Sequence, residues 1–196
     1  MISLTQKERE TLLILFKDFS SFYNANSISK LLKISHVGAQ KIFKRLLKED
    51  LVISKRIGKS IIYKLNLEES YVKKLIAFLL ADEANNFKRW KEEFKDLFKK
   101  NWIVMMFGSA VKNYAKANDI DIMIIMENED IAVVNEVLKK KVGILPKKLH
   151  TIKLTHHDLL RNLKNKDKAM IDIVKNAVIL YGQEIYVEIV KDVASL

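Results

Sequence analysis

The sequence predicts an α+β fold. Three observations carry that expectation: helical apolar periodicity through the first fifty residues, a basic hairpin pattern over residues 51–65, and two apolar runs on either side of Gly108-Ser109 that read as buried strands. Divided by composition, the chain is expected to comprise three parts. These are a small basic domain over residues 1–66, a helical connector over residues 67–100 that is a candidate dimerisation element, and a mixed sheet flanked by helices over residues 101–196.

The opening helix follows from Leu12, Leu13, Leu15, Phe16 and Phe19 on one face, with Thr5 and Glu8 at the spacing of a capping box. A short helix, SISKLLKI, comes next with Ser27 as its expected cap, then a turn-like SHVG, then AQKIFKRLLKED. In that last segment Ala39, Ile42, Phe43, Leu46 and Leu47 form an apolar stripe, while Lys41, Lys44, Arg45 and Lys48 form a basic one at the same spacing. LVISKRIGKSIIYKL then reads as two strands joined by a tight turn at Ile57-Gly58-Lys59.

Charge separates the parts. The net charge is +11, but residues 1–66 hold 13 Lys+Arg against 5 Asp+Glu, whereas the remaining 130 residues hold 22 against 19. Positive charge concentrated in one small domain is the footprint of a phosphate-backbone binder. No uninterrupted apolar run approaches bilayer length, the N-terminus lacks the order of a secretion signal and there is no cysteine, so a soluble, cytoplasmic protein with no membrane partner is expected. Few Gly, one Pro and abundant Lys, Ile and Glu resemble a thermophile's composition.

Three helices followed by a basic hairpin resemble the winged helix-turn-helix of MarR- or ArsR-like proteins. That resemblance implies a double-stranded DNA partner and a recognition helix over residues 36–49. Gln40 and Lys41 would reach base edges, Lys44, Arg45 and Lys48 would lie along the duplex, and Lys55, Arg56 and Lys59 on the wing would meet phosphates. In the connector, Tyr71, Val72, Leu75, Ile76, Leu79 and Leu80 form one apolar stripe, and Phe87, Trp90, Phe94, Leu97 and Phe98 form another, so two helices or one bent helix are expected. A homodimer is the expected assembly, because paired half-sites suit a two-fold axis.

In the third part, NWIVMMF reads as a strand, SAVKNYAKA as a short helix and DIDIMIIM as a second strand. Alternate strand residues face one way, so Asp119 and Asp121 point together, about 7 Å apart or less. Like charges so placed repel, and a divalent cation with its preference for oxygen ligands offsets that repulsion. Gly108 lets backbone approach a phosphate closely, and Ser109 supplies hydroxyl and amide donors.

Gly-Ser, nine intervening residues and Asp-apolar-Asp running into an apolar strand resemble the DNA polymerase β nucleotidyltransferase superfamily, in particular its minimal members of archaeal type. The resemblance implies that Gly108, Ser109 and Lys112 hold a nucleoside triphosphate. It also implies that Asp119 and Asp121 are the catalytic carboxylates and hold Mg²⁺ (or Mn²⁺) for transfer of a nucleoside monophosphate to a hydroxyl on a protein, nucleic acid or small molecule.

Three departures stand out. Lys112-Asn113 replaces the family's Arg-Gly, Asn118 replaces its Ser, and the strand KLHTIKLT lacks the third carboxylate, with no Asp or Glu between Glu136 and Asp158. Asp158 fits a capping box with Thr155. His150 lies on that strand, where a lone histidine is ordinarily a packed or hydrogen-bonded residue and only secondarily a base, and the adjacent His156 and His157 cannot share a helical face. The ending AVILYGQEIYVEIV reads as a strand, a Gly turn and a tail. Three activities stay open: a nucleotidyltransferase, a transcriptional regulator with a catalytically degenerate nucleotide-binding domain, and an antitoxin-like enzyme modifying a partner protein.

Overall fold

The computed structural model describes residues 3–194; the two residues at each end, which close the first and third expected parts, lie outside the described residues. The fold is α+β and divides into two compact units, one ending at Leu79 and one beginning at Leu80. No helix among the described residues is long and apolar enough to cross a membrane.

In the first unit, α1 (Gln6–Lys17) starts where Thr5 and Glu8 cap one another's backbone as the spacing requires. Helix α2 (Ala25–Leu32) starts earlier than expected. Asn24 is the cap, accepting from the Ser27 amide at 2.9 Å, and the Ser27 hydroxyl accepts from the Asn24 amide at 2.9 Å. This reciprocal pair satisfies two orphan donors, which Ser27 as cap could not do.

Helix α3 (His36–Lys48) takes in the stretch read as a turn, because Ser35 caps it by accepting from the Gly38 amide at 3.0 Å. Strands β1 (Val52–Ile57) and β2 (Ser60–Leu65) pair antiparallel, and Gly58 turns between them at φ 59°. Tyr23 adds a bridge to Tyr63 of β2, and the Tyr63 ring stacks on Phe43 at 3.8 Å between centroids. Leu12, Ile28, Ala39, Phe43, Leu46 and Leu51 are fully buried, each larger one contributing about 1.5–3 kcal/mol.

Helix α4 (Ser70–Ala84) crosses the division between the units, so residues expected as a connector are shared: Val72 and Ile76 are buried in the stretch before Leu80, and Ala84 after it. In the second unit α5 (Lys88–Glu93) lies between two 3-10 turns, Asn85–Phe87 and Lys95–Leu97, and buries Trp90, with Phe94 and Leu97 following. The remaining elements are β3 (Ile103–Phe107), α6 (Ser109–Lys112), β4 (Asp119–Ile125), α7 (Ile131–Val142), β5 (Lys148–Leu154), α8 (His156–Lys164), α9 (Lys168–Asn176), β6 (Val178–Tyr181) and α10 (Gln183–Lys191).

The sheet order is β5-β4-β3-β6, with β4 and β5 parallel and the other pairs antiparallel. Val104 and Met106 of β3 and Ile120, Ile122 and Ile124 of β4 face one core with Trp90, Phe94, Leu97, Val134 and Leu138. Helices α9 and α10 cover β3, and α8 covers β5.

Two further elements, both in the second unit, differ from expectation. Helix α6 is a single turn, because Asn113 leaves helical geometry and Tyr114 turns its ring against Trp90, 5.0 Å between centroids. The expected tail is helix α10, which follows Gly182 at φ 81°; a Cβ there would lie 2.3 Å from the Trp102 carbonyl. Only glycine fits that close approach.

Glu8 is 3% exposed and accepts two bonds at 3.1 Å from Arg45 of α3, whose guanidinium also donates to the Ser3 carbonyl. Removing one partner leaves a buried charge. Arg45→Met should therefore cost about 1–3 kcal/mol in chemical denaturation, against about 0.5 kcal/mol or less for Lys41→Met or Lys44→Met. Equal losses at all three positions would sink this account.

Candidate functional site

Strand β4 carries Ile120, Ile122 and Ile124 into the core, which leaves Asp119 and Asp121 together on the opposite face, followed there by the buried Met123 and Ile125. Phe107 of β3 pairs with Asp121, and Gly108 follows it. Gly108 has φ 76°, and a Cβ there would stand 2.2 Å from Asp121 Oδ2. The missing side chain therefore makes room for the aspartate carboxylate itself, beyond any approach to phosphate.

The parallel register places His150 of β5 directly beside Asp121. Its Nδ1 lies 3.4 Å from Asp119 Oδ2 and 3.4 Å from Asp121 Oδ1. One ligand atom from each of the three residues lies within 4.8 Å of the others. Both imidazole distances exceed the roughly 2.7–3.2 Å of a good N–H···O bond, so the ring sits between two carboxylates without closing tightly on either. The histidine is thus a partner of both aspartates, and its ring nitrogen is close enough to join them around an ion. Alternation along KLHTIKLT gives a partial signal, since it puts His150 on one face of its strand, but the strand's neighbour and register are needed to bring that face to the aspartates.

The entry to β4 is fixed from outside. Lys147 donates to the Tyr114 carbonyl at 2.6 Å and to the Ala117 carbonyl, with its Nζ 4.4 Å from the centroid of the Tyr114 ring. The loop before Asp119 is thereby tied to the start of β5. Ser109 and Lys112 are exposed on α6, which begins immediately after Gly108. Asp158, as expected, closes a capping box with Thr155 at the start of α8.

The donor set suits a divalent cation: two carboxylates and one imidazole converge at the open end of an otherwise apolar strand. Asp121 titrates above its ordinary range, first because burial strips water from its charge, then because the charge of Asp119 lies beside it; His150 opposes both effects. Repulsion of this kind is the cost that a cation removes.

In the first unit, Gln40, Lys41, Lys44, Lys48, Lys55, Arg56 and Lys59 are exposed. Arg45 lies beside them with its side chain 42% exposed, and its guanidinium bonds to Glu8 and to the Ser3 carbonyl. A cavity of about 300 Å³ opens between the start of α2, the first turns of α3 and the hairpin, lined among others by Asn24, Asn26, His36, Gln40 and Lys59. His36 was not singled out from the sequence, since as part of a presumed turn it carried no periodic signal.

Residues 87–181 match the family described as "Nucleotidyltransferase domain", a span running from the 3-10 turn before α5 to the end of β6. No curated protein matches the chain significantly. Among solved structures, a mutant of Lactococcus lactis ZitR in complex with DNA is similar at 15% identity and TM-score 0.37, covering 73% of this chain and 76% of that one. The adhesin competence repressor (AdcR) from Streptococcus pyogenes is similar at 13% identity and TM-score 0.35, covering 72% and 80%. Likenesses this remote say nothing of what this chain binds.

The folded value of Asp121 lies above its ordinary value, so this carboxyl favours the fold while protonated, and the contribution is lost as pH rises through the folded value. Asp121→Asn, neutral throughout, should therefore melt higher than the parent protein in EDTA near pH 7, with the difference shrinking toward pH 4 and below. A lower melting temperature for the variant at neutral pH would contradict the repulsion described here.

Proposed function

We propose that the second unit is a divalent-metal-dependent nucleotidyltransferase and that the first unit binds double-stranded DNA. The observation that carries the first part is the convergence of Asp119, Asp121 and His150 beside Gly108 within the stretch that matches the nucleotidyltransferase family. Asp119 and Asp121 would hold Mg²⁺ or Mn²⁺, and His150 stands where its ring nitrogen adds to them. The bound ion would supply charge neutralisation at the α-phosphate and at the departing pyrophosphate.

The chain's own residues do the rest. Gly108 leaves the Asp121 carboxylate its position, Lys147 keeps the loop before Asp119 in place, and the exposed Ser109 and Lys112 would meet the polyphosphate. In the transfer, an acceptor hydroxyl oxygen forms a bond to the α-phosphorus. The α–β bridging bond breaks, its electron pair leaves with pyrophosphate, and the hydroxyl proton passes to water. Solvent reaches the site, since the His150 side chain is 46% exposed. The acceptor hydroxyl belongs to a protein, a nucleic acid or a small molecule.

A second reading is favoured by one observation: β5 offers an imidazole where the family places a carboxylate that activates the hydroxyl. On that reading the site binds nucleotide and metal without turnover, and the protein is a transcriptional regulator acting through its basic first unit. Support for DNA binding comes from the exposed row Lys41, Lys44 and Lys48 on α3 and from Lys55, Arg56 and Lys59 at the hairpin. A homodimer, a cytoplasmic setting and an archaeal-type lineage complete the proposal.

Incubation with each labelled NTP and Mg²⁺ or Mn²⁺ should release pyrophosphate in the parent protein, and Asp119→Ala with Asp121→Ala should abolish both release and NTP binding. Binding without release selects the regulator; unchanged binding in the double variant refutes the metal assignment. For the first unit, Lys41→Ala with Lys44→Ala should flatten the slope of log affinity against log salt by about two on a duplex fragment. An unaltered slope would remove α3 from the DNA contact.

A further inference from the structure

We infer that His150 is a metal ligand of this site and that its imidazole shifts the preference from Mg²⁺ toward transition-metal ions, of which Mn²⁺ is the spectroscopic probe. The inference rests on the reading that Asp119 and Asp121 hold a divalent cation, and it specifies which kind.

The backbone supplies the first reason. In the parallel pairing of β4 with β5, Asp119 stands beside Lys148 and Asp121 beside His150, so the imidazole is delivered to the aspartate face by register. The separations supply the second. Nδ1 is equally far, 3.4 Å, from one oxygen of each aspartate. Adjacent donors around an ion with bonds of about 2.1 Å sit roughly 3.0–3.4 Å from one another.

Ligand chemistry gives the selectivity. Mg²⁺ takes oxygen donors almost exclusively and gives up its waters reluctantly, whereas transition-metal ions tolerate an imidazole nitrogen, Mn²⁺ the least strongly of them and Fe²⁺ or Zn²⁺ more so. An all-carboxylate set suits Mg²⁺, and replacing one oxygen donor by nitrogen lowers the site's fit for that ion. Mn²⁺ also keeps enough coordination positions for phosphate oxygens and water.

The test uses the full chain, free of nucleotide, titrated separately with MnCl₂ and MgCl₂ by calorimetry, with pulsed electron paramagnetic resonance on the Mn²⁺-loaded protein. Mn²⁺ should bind at least about tenfold more tightly than Mg²⁺ and show coupling to a nitrogen. His150→Ala should remove that coupling and weaken Mn²⁺ about tenfold or more, with Mg²⁺ changed by less than about threefold.

His150→Asp, which restores three carboxylates, should narrow the difference between the two ions. His150 is exposed on an edge strand, so both variants should fold, as circular dichroism would verify. Nitrogen coupling that is absent in the parent or retained in His150→Ala, or equal weakening of both ions, overturns the inference while leaving an aspartate metal site standing. Mn²⁺ bound undiminished by Asp119→Ala with Asp121→Ala overturns that site and this inference with it.

Discussion

The second unit is organised around a repulsion. Two carboxylates share one face of one strand, and one of them is partly stripped of water, so ionising both is costly and only His150 among their described neighbours is shown to offset that cost. Each neighbouring feature fits that constraint. Gly108 lacks the Cβ that would occupy the place of the Asp121 carboxylate, the β4–β5 register brings in His150, and Lys147 fixes the loop that leads into Asp119. Rigidity comes from the layers behind. Ile120, Ile122 and Ile124 are anchored in a core with α5 and α7, so the strand cannot turn its acidic face away without burying charge and exposing three isoleucines.

The first unit applies charge differently. Its excess of cations is carried on the exposed side of α3 and the hairpin, while Arg45 at the edge of the same stripe bonds to Glu8 and so links α3 to the start of α1. One basic residue thus secures the helix that presents the others. Helical spacing predicts which lysines share a face, but it cannot distinguish an arginine directed at solvent from one directed at a buried glutamate 37 positions earlier in the chain.

That difference marks what was legible in the sequence. Elements with strong local signals were readable: α1 from its capping box, the hairpin from Gly58, β3 and β4 from apolar runs, and the Asp119–Asp121 pair from alternation. Where competing local bonds decided the outcome, the reading drifted. Asn24 outcompeted Ser27 as a cap, Ser35 drew a turn into α3, and the Tyr114–Trp90 contact with the Lys147 bonds held α6 to one turn. The third member of the site was out of reach for a different reason. His150 is 29 residues from Asp121 and meets it only because the two strands run parallel in a fixed register, a tertiary fact that no local pattern encodes.

That register also bears on whether the site favours holding or transferring. Two ionised aspartates carry two negative charges, which a single divalent ion neutralises, whereas a third carboxylate would leave a net negative charge facing the polyphosphate. An imidazole coordinates in its neutral form, so His150 removes one unit of repulsion against a nucleotide. It also removes the carboxylate that would draw the proton from an acceptor hydroxyl. If the proposed metal and nucleotide occupy the site, an imidazole in place of a carboxylate would favour nucleotide retention and slow transfer. On the regulator reading the site would favour occupancy over turnover; on the enzyme reading transfer would proceed with water as the proton acceptor.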